Sequence, residues 1–221
     1  MDEPLEAAKE GAWREVAAIN AAHAAGRLED EGWHTAMAAL VVPAYLAAET
    51  PEGGSGHSGD AGDWEYSRGI VGEAVAGETF LDAGCANGLL MESVHRWTGA
   101  EPYGLDISPE LGALARARYP RWADRIFVGN ALGWKPPRRF DTVRVGLEYV
   151  PAPRRAALVS HLLERVVATG GRLVIGKFSE EAGRRALEEE VSAWGHRIAG
   201  RAERPHRSEP RLVYRAFWLG S

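Results

Sequence analysis

The chain has 221 residues, of which 45% are hydrophobic and 26% charged, which is the mixture of an ordinary soluble globular protein. Its formal net charge of -5 disfavours a nucleic-acid backbone as partner. The single cysteine, Cys85, excludes an internal disulfide and favours a reducing compartment. There is no apolar run of about 18 residues, and acidic residues stand where a signal peptide needs basic ones. We therefore expect a cytoplasmic protein without membrane contact.

The first quarter of the chain predicts a helical cap. Apolar residues recur at helical spacing in two stretches between positions 4 and 48, and Pro43 is expected to end or kink the second helix. Residues 49–63 are dense in Gly, Ser and Asp and predict a loop, of a length that is usually either functional or disordered. We predict that residues 1–63 form an N-terminal cap domain.

The remainder, residues 64–221, predicts an α/β domain. After a helix at about 64–76, short apolar runs alternate with helices, as in a parallel sheet built from strand-helix-strand units. Gly170 and Gly171 are expected to end the helix before the fifth strand, and a further helix is expected at 179–194. The predicted strands cover 79–84, 103–107, 125–129, 140–146, 172–178, 196–202 and 212–219.

The segment FLDAGCANGLL, residues 80–90, carries the strongest motif. An apolar strand ends at Asp82, and the chain then turns through Gly84 and Gly88 into a helix whose first N–H groups are free to meet a ligand. A dinucleotide fingerprint does not fit because the second and third glycines are missing, and no Lys-Ser/Thr follows Gly88 as a phosphate loop requires. Taken alone, the turn is equally compatible with no ligand.

Two polar residues at the ends of later strands favour a nucleoside. Asp106 ends the second strand, where a carboxylate can accept hydrogen bonds from both hydroxyls of a ribose. Asn130 follows the third strand, where a side-chain amide can both donate to and accept from a purine edge. The alternatives are a helix cap for Asp106, a role that Ser108 already fills, and a turn residue for Asn130.

The ordered set LDAGCANG, YGLDIS, VGNA, FDTVRVGLEYVP and GGRLVIG resembles the class I S-adenosylmethionine-dependent methyltransferase family over residues 79–219. The resemblance implies a Rossmann-like, doubly wound sheet of seven strands, mostly parallel, with the last strand antiparallel and the last two strands paired at one edge. It also implies S-adenosylmethionine as cofactor. No metal site is implied.

The resemblance further implies which residues meet the cofactor. The loop from Gly84 to Gly88 would hold the methionine portion, Asp106 the ribose, and Asn130 the adenine edge, with Ile107 against one face of that ring. The full set of predicted cofactor contacts is Asp82, Gly84, Cys85, Ala86, Asn87, Gly88, Asp106, Ile107, Asn130, Ala131 and Leu147. Many family members have an aspartate where Asn130 stands, and either side chain can accept from the adenine amino group.

Residues facing the methyl acceptor are less clearly marked. Glu148 is the best candidate for a base or an orienting carboxylate, with a solvated loop glutamate as the alternative. Tyr149 is a candidate for the acceptor pocket or the core, and His57 is a candidate catalytic histidine in the polar loop. His23 and His34 lie in helical patterns and are expected to be packing or surface residues.

Methyl transfer is an in-line displacement on an already activated carbon, so positioning supplies much of the catalysis. The predicted cap and the net acidity favour a metabolite or natural product as acceptor, methylated on oxygen or nitrogen. The sequence GLEYVP after the fourth strand lacks the Asn/Asp-Pro-Pro-aromatic stretch of enzymes that methylate bases or glutamine amides. The alternatives are a methyltransferase acting on RNA or protein, or a non-catalytic S-adenosylmethionine-binding protein. A homo-oligomer is left open.

Overall fold

The computed structural model describes residues 3–55 and 60–221, which form two N-terminal helices followed by an α/β sheet. His57 lies outside the described residues, so its catalytic role stays a prediction. The helices are α1 (Glu3–Ala24), α2 (Asp30–Ala47), α3 (Ala61–Arg68), α4 (Ile70–Ala74), α5 (Leu89–Thr98), α6 (Pro109–Arg118), α7 (Arg155–His161) and α8 (Ala186–Ala193). The strands are β1 (Thr79–Ala83), β2 (Glu101–Asp106), β3 (Ile126–Val128), β4 (Phe140–Val145), β5 (Val167–Glu181), β6 (Ile198–Pro205) and β7 (Leu212–Gly220).

The strands form one seven-stranded sheet in the order β3-β2-β1-β4-β5-β7-β6. Strands β1 to β5 pair in parallel, whereas β7 is antiparallel to both β5 and β6. The predicted fold, with its antiparallel last strand and edge hairpin, is confirmed. None of the helices in the described part of the chain has both the length and the apolar character needed to cross a bilayer.

The strand order places a crevice between β1 and β4. The chain runs outward from β1 through β2 to β3 and then returns to the other side of β1 to form β4. In open α/β sheets, ligands bind beyond the carboxyl ends of the strands at such a reversal. The loops that follow β1, β2, β3 and β4 all meet at this edge.

Helices α3 and α4 belong to the core of the sheet domain. Trp64 and Val71 pack with Phe80 of β1, and Ile70 packs with Val174 of β5. The prediction of one helix at about 64–76 was wrong, because the helix breaks at Gly69. The proposed domain boundary at 63/64 lies inside α3.

Helices α1 and α2 pair with each other, and α2 also packs against α6. The indole N–H of Trp33 donates to the Asn20 side chain at 2.9 Å, and His23 lies 2.9 Å from the Asp30 carboxylate. Helix α2 continues through Pro43 rather than ending there.

The expectations around β5 also need correction. A π-helical turn, Leu162–Val166, follows α7, and β5 then begins at Val167. Gly170 and Gly171 therefore lie inside the strand rather than ending a helix, at an irregularity in the pairing with β4. The helix expected from 179 begins only at Ala186, because β5 stays paired with β7 as far as Glu181.

Candidate active site

A cavity of about 640 Å³ lies between the carboxyl edge of the sheet and helices α1 and α2. The loops after β1, β2, β3 and β4 form one wall, and the two N-terminal helices form much of the other. Its size falls within the range of about 300–1,000 Å³ that is typical of small-molecule sites. Residues on the sheet side include Gly84, Ala86, Asp106, Ile107, Asn130, Ala131, Glu148 and Tyr149, and residues on the helix side include Trp13, Val16, His34, Met37, Val41 and Tyr45.

The loop after β1 is held in a conformation that few side chains tolerate. Gly84 and Gly88 have φ values of 89° and 83°, in the left-handed region that favours glycine. Ala86 also has a positive φ, 46°, which is uncommon for a residue with a side chain. The Asp106 carboxylate stabilises this turn by accepting a hydrogen bond from the Ala86 N–H at 2.8 Å.

Asp106 also accepts from the Ser108 N–H at 2.9 Å, through its other oxygen. Burial raises the pKa of the Asp106 carboxyl, and the hydrogen bonds from the Ser108 and Ala86 N–H groups oppose this rise. A carboxylate has about four lone-pair positions. Each oxygen can therefore bind a backbone N–H and still accept from a ligand hydroxyl in the cavity.

The predicted cofactor residues divide into a lining set and a supporting set. The cavity wall includes Gly84, Ala86, Asp106, Ile107, Asn130 and Ala131. Five others lie outside the wall: Asp82, Cys85, Asn87, Gly88 and Leu147. Their roles as cofactor contacts stay predictions.

The position of each supporting residue has a physical reason. Cys85 is buried with Met91 and Trp122, and burial raises the pKa of its thiol. Leu147 belongs to the main hydrophobic core. The Asn87 side chain donates to the Pro51 carbonyl at 2.7 Å and so joins the β1 loop to the segment that follows α2.

Asp82 is engaged by an arginine that the sequence did not suggest. Arg144 of β4 donates to the Asp82 carboxylate at 3.2 Å, and both side chains are buried. Burial raises the pKa of Asp82 to about 6, although the Arg144 charge acts in the opposite direction. Arg144 also donates to the Tyr149 hydroxyl at 2.9 Å.

Tyr149 and Glu148 lie beside the β1 loop. The Tyr149 ring packs so closely on Gly84 that a Cβ at that position would lie 2.3 Å from the ring. The Glu148 side chain is exposed and lies over Gly146, whose Cβ position is 2.6 Å from a carboxylate oxygen. Both predicted acceptor-side residues line the cavity.

The sequence reasoning missed Arg68 and Tyr45 and assigned His34 to packing or the surface, yet all three line the cavity. Burial lowers the pKa of Arg68 to about 10, and the nearby Arg144 charge adds to this effect. His34 Nδ1 lies 2.7 Å from the Asp30 carbonyl oxygen. A signal existed in the sequence, because positions 34, 37, 41 and 45 share one face of a helix.

Residues 80–171 match a family model described as a methyltransferase domain. This range contains the β1 loop, Asp106, Asn130 and Glu148. Over 111 residues the chain is 34% identical to a demethylmenaquinone methyltransferase from Tropheryma whipplei (strain Twist), covering 48% of this chain and 44% of the relative. It is 33% identical over 107 residues to a ubiquinone biosynthesis O-methyltransferase from Xanthomonas euvesicatoria pv. vesicatoria (strain 85-10), covering 46% and 43%. The matches thus span less than half of these curated relatives.

Solved structures share the fold at low sequence identity. The N-methyltransferase NodS from Bradyrhizobium japonicum WM9, in complex with S-adenosyl-L-homocysteine, matches with a TM-score of 0.59 at 19% identity over 80% of this chain and 94% of that one. The [4+2]-cyclase SpnF matches with a TM-score of 0.57 at 18% identity over 71% and 80%. The fold alone therefore does not specify methyl transfer.

Residues 80–171 thus resemble a methyltransferase domain, and the sheet around them has the strand order described above.

Proposed function

We propose that this chain binds S-adenosylmethionine along the sheet side of the cavity and transfers its methyl group to a small-molecule acceptor held beneath α1 and α2. The carrying observation is that a single cavity joins Asp106 and the β1 loop to the apolar face of α2. Cofactor and acceptor can therefore meet in one cavity, as an in-line displacement requires.

The lining residues fit the nucleoside portion of this cofactor. Asp106 would offer carboxylate oxygens to the ribose hydroxyls, and Asn130, which lines the same cavity, would meet the adenine edge. Ile107 is 39% exposed although apolar, which suits a side chain that packs against a ligand ring. Gly84 and Ala86 place the β1 loop on the cavity wall, where its backbone could meet the methionine portion.

Arg68 is suited to the carboxylate of that methionine portion. It lines the same cavity as Gly84, and its pKa of about 10 leaves it positively charged at neutral pH. A guanidinium can bind a carboxylate through two parallel hydrogen bonds. Arg68 would thereby fix the end of the cofactor opposite to the adenine.

When bound, the cofactor supplies a methyl carbon on a positively charged sulfur; the acceptor forms the new bond, and the electron pair of the broken bond stays on sulfur. An acceptor hydroxyl or ammonium must also lose a proton. Glu148 and His34 line the cavity, and each has a side chain that could take this proton. The residues on the sheet side and on α2 exclude water and hold the two reactants in line.

The function is tested by incubating the purified chain with a cell extract and S-adenosylmethionine labelled in its methyl group. We expect label in small molecules, and no labelling with an Asp106→Ala variant. Label in RNA or protein would show that the methyl acceptor is a macromolecule rather than the proposed small molecule. Binding of S-adenosylhomocysteine without any labelling would instead favour a non-catalytic binding protein.

A further inference from the structure

We propose that the helix side of the cavity is an apolar subsite, and that the methyl acceptor is a largely uncharged molecule with a hydrocarbon body that packs against α1 and α2. This inference rests on the proposed function, because it names the substrate class of the same site.

The subsite is built from one face of α2 and one edge of α1. Met37, Ala38, Val41 and Val42 of α2 line the cavity together with Val16 of α1. Val41 remains 42% exposed, so the core of the protein does not cover this face. Trp13 extends the apolar surface at the cavity rim and is 72% exposed. Exposed apolar side chains gathered around a cavity are typical of a ligand site.

Charge within the cavity is confined to the opposite side. Among the described residues that line it, the charged side chains are Arg68, Asp106 and Glu148, and all three belong to the sheet domain. Helices α1 and α2 contribute His34 and Tyr45 as their ionisable groups. A charged acceptor body would lose its hydration against this face without gaining a partner, whereas a hydrocarbon body gains from burial.

The location favours a small molecule over a lipid surface. The apolar residues line a cavity that also contains the predicted ribose and adenine contacts, so a ligand bound there adjoins the cofactor. Leu46 of α2, by contrast, is 52% exposed and lies outside the cavity. It provides a matched control on the same helix.

The test uses the full chain and N-phenyl-1-naphthylamine, a neutral apolar fluorophore, with and without saturating S-adenosylhomocysteine. We expect the wild type to bind the probe in both conditions. Val41→Lys places a charge in the subsite and should weaken probe binding by about tenfold or more, whereas Leu46→Lys should change it by less than about twofold. Calorimetry should show nearly unchanged S-adenosylhomocysteine affinity for both variants, which also verifies that they are folded.

Any of three results would refute the proposed subsite. These are no probe binding by the wild type, equal weakening of probe binding by both substitutions, or complete displacement of the probe by S-adenosylhomocysteine. Equal weakening accompanied by equal loss of binding to phosphatidylcholine vesicles would assign this face to a lipid surface instead. Failure of the wild type to bind S-adenosylhomocysteine is a separate outcome. It would refute the proposed function and the acceptor role, while the probe measurements would still decide whether an apolar site exists.

Discussion

Arg144 of β4 lies 3.2 Å from Asp82 of β1, and the two buried side chains form an ion pair between the strands that flank the crevice. The same guanidinium holds the hydroxyl of Tyr149, whose ring covers Gly84. This pair therefore links the sheet core to the wall of the cavity. The Asp82 carboxylate therefore has a structural role, and its predicted contact with a cofactor stays a prediction.

Replacing Arg144 by Met should destabilise the protein by about 3–5 kcal/mol at pH 7, because Asp82 is then left as an uncompensated buried charge. The folded-state pKa of Asp82 is raised to about 6 from the usual 3.8. Between these values the folded protein keeps a proton that the unfolded chain releases, so the Asp82 contribution to stability falls as pH rises. The positive charge of Arg144 lowers the pKa of Asp82. Loss of Arg144 therefore raises this pKa and extends to higher pH the range over which Asp82 makes stability fall.

The Arg144→Met variant should therefore recover part of its lost stability when the pH is lowered from 7 to 5. Urea unfolding at both pH values measures this recovery. The control is the double variant Asp82→Asn with Arg144→Met, which has no carboxylate to protonate and should not show it. Equal recovery in both proteins would mean that other groups cause the pH dependence.

Asp106→Ala should weaken binding of S-adenosylhomocysteine by at least about tenfold, since charge-assisted hydrogen bonds contribute about 1.5–3 kcal/mol each. It should also lower the melting temperature, because the N–H groups of Ala86 and Ser108 lose their acceptor. Glu110→Ala, an exposed substitution in the following helix, is the control. Calorimetric titration with unchanged affinity for Asp106→Ala would remove this residue from the site.

Much of the fold was predictable because the strand-helix alternation and the apolar strands are local features. The break at Gly69 and the start of β5 at Val167 were not. Each depends on tertiary contacts: α3 and α4 pack against the sheet, and the irregularity at Gly170 fits the pairing of β5 with β4. Local sequence patterns do not report such contacts.

In the candidate site too, some residues could be predicted from the sequence and others could not. Asp106 and Asn130 were predictable because Asp106 ends β2 and Asn130 closely follows β3, which fixes both at the carboxyl edge of the sheet. Arg68, His34 and Tyr45 lie on helices, and their facing the cavity depends on how those helices pack against the sheet domain. Asp82 and Leu147 were predicted as cofactor contacts, and the structure shows that both side chains are buried.

Arg68→Met should weaken binding of S-adenosylhomocysteine by about tenfold or more if this side chain binds the carboxylate of the methionine portion. The affinity for 5′-methylthioadenosine, which lacks that carboxylate, should change by less than about twofold. Calorimetric titration of both ligands on both proteins measures the contrast. An equal loss for the two ligands would mean that Arg68 shapes the cavity without binding the carboxylate.

A chain beginning at Asp60, the N-cap of α3, should fold and keep the sheet domain, because the packing of Trp64, Ile70 and Val71 is retained. It should lose methyl transfer, because α1 and α2 supply one side of the cavity. Far-ultraviolet circular dichroism, thermal melting and the labelled-donor assay test these outcomes. An aggregated truncation would show that the first two helices belong to the main core, and full activity would show that they are not an acceptor cap.

Comparing the variants Glu148→Gln and His34→Gln identifies the general base. The assay uses the methyl acceptor found by the labelled-donor screen. Either residue, if it is the base, should lose about 10²-fold in kcat with cofactor affinity nearly intact. The contact of His34 Nδ1 with the Asp30 carbonyl oxygen requires Nδ1 to carry a hydrogen, because a carbonyl oxygen can only accept. This contact leaves Nε2 as the ring nitrogen that would have to serve as base.

His23→Gln is the matched control for His34, because His23 also bonds to Asp30, through the carboxylate, but does not line the cavity. A residue that only orients the acceptor should change mainly the KM for the acceptor. If neither Glu148→Gln nor His34→Gln changes kcat or KM by more than about twofold, neither of these two side chains serves as base. Positioning of the acceptor against the methyl group would then supply the catalysis, which is sufficient for a nucleophile that has already lost its proton.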